Sequence, residues 1–204
     1  MDIGANEIMS NLTYHDQSIA LSQREEKNGH KSAVLWFTGL SASGKSVIAM
    51  ACQRELFKRG YQVTVLDGDN VRHGLNAGLG FSDEDRNENL RRVAEAAKLF
   101  AEAGIIVLTS FISPFRKNRD YAQSIITPLN FFKIYIKVSL ETAEARDPKG
   151  LYKMAREGKI KDFTGIDSPY EEPLSADLVI ENDQQSIQEG VDQIVEFLEN
   201  EDII

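Results

Sequence analysis

Polar and apolar residues alternate in blocks along this chain, and five short apolar blocks are typical of buried β-strands. These blocks cover residues 33–38, 62–66, 104–109, 131–138 and 176–180. Between them, apolar residues recur every three to four positions, which is the spacing of an amphipathic helix. The helical stretches cover residues 47–57, 83–103, 115–126, 141–157 and 186–200. This alternation predicts an α/β fold with a five-stranded parallel sheet and helices on both faces.

The first part of the chain does not follow this pattern. Residues 1–31 are polar and weakly patterned, so we expect an N-terminal arm outside the sheet, followed by one domain at 32–204. A chain of 204 residues is long enough for one such domain and too short for two. Isolated apolar residues on the arm predict that it docks onto a surface, and these are Leu12, Tyr14, Ile19 and Leu21.

Composition narrows the class of protein. Apolar residues make up 42% and charged residues 27% of the chain, as in soluble globular proteins. The sequence shows no apolar run of the ~18 residues that a membrane span requires, and no secretory signal, so we expect no membrane contact. The one cysteine, Cys52, is expected to be buried in a helix, which suits a reducing cytoplasm. A net charge of −9 argues against a nucleic-acid partner.

Residues 39–46 read Gly-Leu-Ser-Ala-Ser-Gly-Lys-Ser and fit the phosphate-binding pattern G-x-x-x-x-G-K-[S/T] between a predicted strand and a predicted helix. In such a loop the backbone N–H groups surround a polyphosphate at the helix N-terminus. Lys45 would neutralise the β- and γ-phosphates of a nucleoside triphosphate, and the Ser46 hydroxyl would bind Mg²⁺. The predicted nucleotide ligands are Gly39, Ser41, Ala42, Ser43, Gly44, Lys45 and Ser46.

The second predicted strand ends in Asp67-Gly68-Asp69, at the sheet edge where open α/β sheets bind ligands. One carboxylate would hold the Mg²⁺ shell, and the other would orient an attacking hydroxyl and accept its proton. The same residues are good turn formers, so a solvated turn is the alternative. The chain lacks the Asn-Lys-x-Asp guanine signature, which favours a kinase over a GTPase.

Further blocks carry a resemblance, and they lie at residues 67–76, 79–92, 111–114, 146–153 and 163–171. Together with the phosphate loop, they resemble the adenylylsulfate kinase (APS kinase) family. The resemblance implies a P-loop kinase fold with a mobile lid at about 147–172, and a homodimer. It also implies transfer of the γ-phosphoryl group of MgATP to the 3′-hydroxyl of adenosine 5′-phosphosulfate (APS). Ala42 departs from the pattern, because the family usually has glycine there, and a positive φ would strain alanine.

The resemblance also implies roles for individual residues. Phe81 and Phe163 would sandwich the acceptor's adenine, since a base offers a π-face for stacking. Arg86 and Asn89, three apart on one helix face, would hold the phosphosulfate and ribose. Arg146 would pack against the adenine of ATP. The remaining acceptor-site residues are Asp69, Asn70, Arg72, Ile112, Ser113, Lys149, Leu151 and Thr164.

Several alternatives stay open at this point. Asp69 is expected to deprotonate the acceptor, with Asp67 alongside it as metal ligand or as the base itself. A phosphoserine at Ser113 is an alternative chemical step. Another small acceptor, such as a nucleoside, and an idle kinase-like regulatory domain are the rival functions. The three histidines are expected at the surface or in turns without catalytic roles, and they are His15, His30 and His73.

Overall fold

Five strands and eight helices form the part of the chain that the computed structural model describes, which is Thr13, His15 and residues 17–204. The strands are β1 (Ala33–Thr38), β2 (Val63–Asp67), β3 (Ile106–Ser110), β4 (Phe131–Lys137) and β5 (Leu178–Glu181). The helices are α1 (Leu21–Asn28), α2 (Lys45–Lys58), α3 (Gly68–Arg72), α4 (Asp83–Glu102), α5 (Arg116–Ile126), α6 (Leu140–Arg146), α7 (Leu151–Arg156) and α8 (Ile187–Asn200).

All five strands are parallel and lie in the order β2-β3-β1-β4-β5. Every residue of β1 is buried, as expected for a central strand that helices cover on both faces. Because the strands are parallel, their carboxyl ends meet at one edge, where Thr38, Asp67 and Ser110 end β1, β2 and β3. The predicted fold class is confirmed, and this edge is where ligands bind in such folds.

The helices form two layers. On one face, α2 and α8 pack over side chains such as Leu35 and Phe37 of β1. On the other face, α4 and α5 pack over Val34 and Trp36, because successive side chains of a strand point to opposite faces. Cys52 is buried in the first layer, as predicted, and burial raises the pKa of its thiol to about 12.

The prediction of one helix over 141–157 is wrong, because the chain breaks it into α6 and α7. Pro148 lacks an N–H group and disfavours helical geometry at the preceding residue. Asp147 accordingly leaves the helix with φ 12° and ψ 59°, and Gly150 then adopts φ +67° as the N-cap of α7. The break projects the segment between the two helices toward the sheet edge that carries Asp69.

The sequence pattern also missed α1, which lies within the predicted arm. The helix is anchored to the domain, since the Asn28 side chain donates to the Gly104 carbonyl (2.9 Å) and the Lys31 N–H donates to the Ile203 carbonyl (2.8 Å). His30 is buried rather than exposed, and its Nε2 accepts a hydrogen bond from the Gln62 N–H (3.1 Å). Leu12 and Tyr14 of the predicted arm lie outside the described residues.

Two smaller differences concern α3 and α4. The residues after Asp67 form a short helix, and the Asp67 side chain caps it by accepting a hydrogen bond from the Asp69 N–H (3.1 Å). On α4, Leu90, Val93 and Ala97 are buried as expected, but Phe100 remains 39% exposed.

Over the described ranges, the structure contains no helix long and apolar enough to cross a bilayer.

Candidate active site

The phosphate loop joins the end of β1 to the start of α2, as the motif predicts. Gly39 has φ +150°, and a Cβ there would lie 2.4 Å from the Ile136 carbonyl oxygen. Gly44 has φ +96°, and a Cβ would lie 2.5 Å from the Asn182 side-chain nitrogen. Only glycine fits at either position. The two glycines therefore allow a tight turn between β1 and α2. The unpaired N–H groups and the dipole at the N-terminus of α2 attract an anion.

Lys45 is buried at the first position of α2 and folds back over the loop. Its ammonium group donates hydrogen bonds to the carbonyls of Gly39 (3.0 Å) and Leu40 (2.6 Å). Burial lowers the pKa of Lys45 to about 7, and the nearby Asp67 carboxylate offsets only part of this effect. A cation held in such a desolvated position gains strongly from a polyphosphate partner.

Three side-chain oxygens meet beside Lys45. The Ser46 hydroxyl donates to a carboxylate oxygen of Asp67 (2.6 Å), and it lies 3.0 Å from the Ser110 hydroxyl. Such hard oxygen ligands suit Mg²⁺, which is usually held by one or two protein groups together with phosphates and water. Among the described residues, no group of three or more His, Cys, Asp or Glu could hold a metal ion.

Ser110 was not among the residues predicted from the sequence. Its position nevertheless follows from the fold, because it ends β3 and pairs in register with Asp67 at the end of β2. Ser110 directly follows the predicted strand at 104–109, but its position beside Asp67 depends on the order and register of the strands.

Asp69 lies in the first turn of α3, two residues beyond Asp67. Unlike Asp67, it is exposed, and its carboxylate forms an ion pair with Lys149 from the segment between α6 and α7. The structure thus brings Asp67, Asp69 and Lys149 together from parts of the chain that are 80 residues apart. Asn70 follows Asp69 and is also exposed.

Phe81, which is exposed, and Arg72, the half-buried last residue of α3, form a rim of the site. The Phe81 ring is 69% exposed, and the Arg72 guanidinium lies 4.4 Å from its centroid. Arg72 also donates to the carbonyls of Leu79 (3.1 Å) and Gly80 (3.0 Å), which fixes the loop that presents the ring. The exposed ring is free to stack on a planar ligand.

Arg86 connects this rim to the predicted lid. Its guanidinium donates to the Phe81 carbonyl (2.8 Å) and to the Asp162 carbonyl (2.9 Å). Asn89, on the same helix α4, is buried and accepts a hydrogen bond from the Asn76 side chain (2.8 Å). Asn76 was not predicted as a site residue, and the sequence offers no signal for it beyond its place in a resemblance block.

Phe163 is buried, in contrast to Phe81. Its ring packs edge-to-face on Tyr152, with centroids 5.0 Å apart, in an apolar cluster that joins the lid segment to the rest of the domain. The other buried members of this cluster are Leu40, Val138, Ala143 and Ala155, and Leu151 packs against it. Thr164 is also buried, and within the described part of the chain its hydroxyl has no hydrogen-bond partner. Stacking of Phe163 on a base stays a prediction.

Ile112 and Ser113 follow β3, and Ser113 is buried with φ +39°, a strained value for a residue with a side chain. The Trp36 indole donates to the Ser113 hydroxyl (3.2 Å), which in turn donates to the Thr38 hydroxyl (3.1 Å). Thr38 also donates to the Ile112 carbonyl (2.7 Å). The hydroxyl of Ser113 is therefore engaged within the protein.

Arg146 reaches the phosphate loop through Asn182. It donates to the Asn182 carbonyl (2.7 Å), and the Asn182 side chain donates to the Ser43 carbonyl (2.7 Å). Tyr152 of α7 makes a similar contact, from its hydroxyl to the Ser41 carbonyl (3.0 Å). The lid segment and the segment after β5 thus both contact the loop.

Comparison with known proteins agrees with this geometry. Residues 31–181 match the profile of the adenylylsulphate kinase family. A protein of Bacillus subtilis (strain 168) named "Probable adenylyl-sulfate kinase" is 57% identical over 194 residues, which are 95% of this chain and 98% of that protein. The adenylyl-sulfate kinase of Staphylococcus carnosus (strain TM300) is 52% identical over the same shares of both chains.

A solved structure gives the same result. The APS kinase of Mycobacterium tuberculosis, in complex with AMPPNP and APS, is 46% identical and superposes with a TM-score of 0.81. The match covers 83% of this chain and 99% of that chain. The sequence match and the shared fold lead to one conclusion: the chain belongs to the adenylylsulphate kinase family.

Proposed function

We propose that this site transfers the γ-phosphoryl group of MgATP to the 3′-hydroxyl of APS, giving 3′-phosphoadenosine 5′-phosphosulfate in sulfate activation. As a member of its family, the chain is an adenylyl-sulfate kinase. The observation that carries the proposal is a continuous set of contacts from the phosphate loop to the lid. The Ser46 hydroxyl donates a hydrogen bond to the Asp67 carboxylate, which also accepts one from the Asp69 N–H. The Asp69 carboxylate forms an ion pair with Lys149.

The donor half of the site would bind ATP. The N-terminus of α2 and the loop N–H groups surround the phosphates, and Lys45 replaces its carbonyl partners with phosphate oxygens. Ser46 and Asp67, with Ser110 alongside, would hold Mg²⁺, which neutralises charge on the β- and γ-phosphates when bound. Arg146 would pack against the adenine, and its bond to the Asn182 carbonyl places it near the loop.

Asp69 is the base in this proposal. Its carboxylate is exposed, so an acceptor hydroxyl can reach it, and it would orient that hydroxyl and take its proton. Asp67 is less available, because its two oxygens already accept hydrogen bonds from Ser46 and from the Asp69 N–H. Direct transfer is favoured over a phosphoserine at Ser113, whose hydroxyl is buried between Trp36 and Thr38.

The acceptor half would recognise APS with charged and aromatic side chains. Phe81 and Phe163 would contact the adenine, Arg86 the phosphosulfate, and Lys149 the acceptor after leaving Asp69. The lid at 147–172 would close over both nucleotides and exclude water, which otherwise hydrolyses the γ-phosphoryl group. The contributing acceptor residues also include Asn70, Arg72, Asn89, Ile112, Leu151 and Thr164.

The experiment compares acceptors at fixed MgATP in a coupled assay of ADP release. We expect rapid turnover with APS and almost none with adenosine 5′-monophosphate or adenosine. An acceptor without the sulfate leaves the cationic groups that would face it unpaired. This penalty distinguishes APS from adenosine 5′-monophosphate more strongly than the loss of an apolar contact would. Similar kcat/KM values for APS and adenosine 5′-monophosphate would refute the assignment, and absence of turnover with every acceptor would favour the regulatory alternative.

We also propose that the protein is a cytoplasmic homodimer, with the arm at 1–31 lying across or near the interface. Leu99 and Phe100 on α4 are 66% and 39% exposed, and such neighbouring apolar side chains favour burial against another surface. Light scattering of the full chain, and of a chain starting at Lys31, tests both points. A full chain that is monomeric at micromolar concentration contradicts the dimer, and the same number of subunits in both proteins would show that the arm plays no part in assembly.

A further inference from the structure

Arg119, on α5, is a fully buried cation that the site described above does not use. Its side chain is 0% exposed, and it is among the largest fully buried side chains in the described residues. Over that part of the chain, no carboxylate oxygen lies within 4 Å of its guanidinium. Burying a charge without a counter-ion is costly, so the contacts of this residue require an explanation.

Those contacts are two main-chain carbonyls from different parts of the fold. One terminal nitrogen of Arg119 donates to the Ser113 carbonyl (2.5 Å), and the other donates to the Glu171 carbonyl (2.5 Å). Ser113 belongs to residues 111–115, the loop between β3 and α5 that we call the acceptor loop. Glu171 is one of the last residues of the lid segment. One rigid, planar group therefore bridges the acceptor loop and the end of the lid.

The Ser113 contact is made to a strained residue. A residue with a side chain at φ +39° is strained and persists only when its surroundings hold it in place. A charge-assisted hydrogen bond to its carbonyl is one such restraint, and it is stronger than a neutral one. Trp36 and Thr38 hold the hydroxyl of the same residue, so both ends of Ser113 are fixed.

The Glu171 contact is reinforced by its neighbours. The Glu171 N–H donates to the Pro114 carbonyl (2.9 Å), and its carboxylate accepts the Arg116 N–H (2.8 Å). The preceding Tyr170 places its hydroxyl 2.9 Å from that of Thr38, and its ring centroid lies 5.7 Å from the Arg119 guanidinium. The end of the lid is thus fastened to the acceptor loop through a single buried network.

We propose that Arg119 is a positioning residue that couples the acceptor loop to the end of the lid, and thereby sets affinity for the acceptor but not for ATP. This inference rests on the proposed function for its kinetic consequence. The structural part, that Arg119 holds residues 113–116 and 170–172 together, stands on the contacts alone. Neither hydrogen bond of the Arg119 side chain goes to the phosphate loop, so the donor half should be insensitive to its loss.

The test uses the full chain with Arg119→Lys and Arg119→Met. Lysine keeps the charge but cannot bridge two carbonyls, and methionine fills the space without a charge, a change that folded proteins often tolerate. We expect the KM for APS to rise about tenfold or more in both variants, since small misplacements of positioning groups have large effects. The KM for MgATP should stay within about twofold, because the donor contacts are separate.

Lys117→Met is the matched control, because Lys117 is an exposed cation on the same helix, and we expect no change in either KM. Hydrogen exchange of the substrate-free proteins gives a second readout that needs no turnover. In Arg119→Met, the amides of Arg116 and Glu171 should exchange faster, while those of α2 should not. Hydrogen exchange therefore tests whether Arg119 couples the two segments even if the wild-type protein fails to phosphorylate APS and the proposed function is refuted.

Two results would overturn the inference. In the first, the KM values for APS and MgATP rise together with a loss of thermal stability, which is the behaviour of a merely structural residue. In the second, the KM for APS and the exchange of the two amides stay at wild-type values. A selective rise in the KM for APS, together with faster exchange confined to the bridged segments, supports it.

Discussion

The charged groups that we propose for the donor half and for the acceptor half of this site differ in how deeply they are buried. In the donor half, Ser43, Lys45 and Asp67 are at most 8% exposed and are held by the backbone of one loop and one strand end. In the acceptor half, the side chains of Asp69 and Lys149 are 67% and 59% exposed. Buried, preorganised charges interact strongly without further change, whereas exposed charges are screened by water. The acceptor half therefore depends on the lid to remove that water.

The strongest test of this contrast removes the buried cation. We predict that Lys45→Ala lowers kcat/KM by about a thousandfold or more, because it deletes charge stabilisation that grows in the transition state. Lys58→Ala, at the exposed end of the same helix α2, is the control and should behave as wild type. Steady-state kinetics with MgATP and APS measure both. A Lys45→Ala enzyme within tenfold of wild type would show that the donor half does not depend on this charge.

The corresponding change in the acceptor half is Asp69→Asn, which keeps the shape of the side chain and removes the proton acceptor. We predict that kcat falls by about a hundredfold or more, as for other general bases, while ATP affinity stays nearly unchanged. Loss of the exposed ion pair with Lys149 adds little, because such pairs are weak. The measurement combines kcat with an ATP titration. If Asp69→Asn keeps most of its kcat, the base is elsewhere, and Asp67→Asn becomes the next variant.

The buried position of Lys45 also predicts a pH dependence of ATP binding. Burial lowers the pKa of Lys45 to about 7, so above this pH the free protein carries a neutral amine. Bound triphosphate favours the charged form and raises the pKa again, so the complex holds one more proton than the free protein. Rising pH therefore opposes binding, by up to about tenfold in ATP affinity per pH unit above 7.

Isothermal titration in two buffers that differ in ionisation enthalpy measures this proton. At pH 8.5 the wild-type protein should take up about one proton per ATP bound. Lys45→Ala should take up none, even at the higher protein concentration that its weaker binding requires. Equal apparent enthalpies in the two buffers for the wild type would contradict the prediction.

The donor and acceptor halves also differ in how much of their structure can be predicted from the sequence. The geometry of the phosphate loop was predictable, because a contiguous motif at residues 39–46 specifies a glycine-containing loop between a strand and a helix. The sheet was predictable as well, because buried parallel strands are largely apolar, and β1 is apolar except for Thr38. The motif does not reveal which residues of other strands lie next to the loop, because the order and register of the strands determine this. Ser110, which lies beside Ser46, comes from a strand whose register no local pattern encodes.

The acceptor half was harder to predict, because separate segments form it. Phe81 and Phe163 look alike in sequence, in polar stretches that contain glycine, yet the first is exposed and the second is packed against Tyr152. The break between α6 and α7 was missed, although Pro148 signals it, because the apolar spacing continues on both sides. The burial of Arg119 was not predicted, since a basic residue on a polar helix face is normally exposed.

The smallest predicted effect concerns Ala42 of the donor loop, which has φ +58°. The left-handed conformation costs a residue with a Cβ of order 1 kcal/mol, and glycine avoids this cost but loses more entropy on folding. We therefore predict that Ala42→Gly stabilises the protein by less than about 1 kcal/mol and leaves kcat/KM unchanged. Ala96→Gly, within α4, is the matched control and should destabilise by about 1 kcal/mol, because glycine is unfavourable inside a helix. Denaturant unfolding measures both variants. Destabilisation of Ala42→Gly as large as that of Ala96→Gly would mean that the loop accommodates Ala42 without strain.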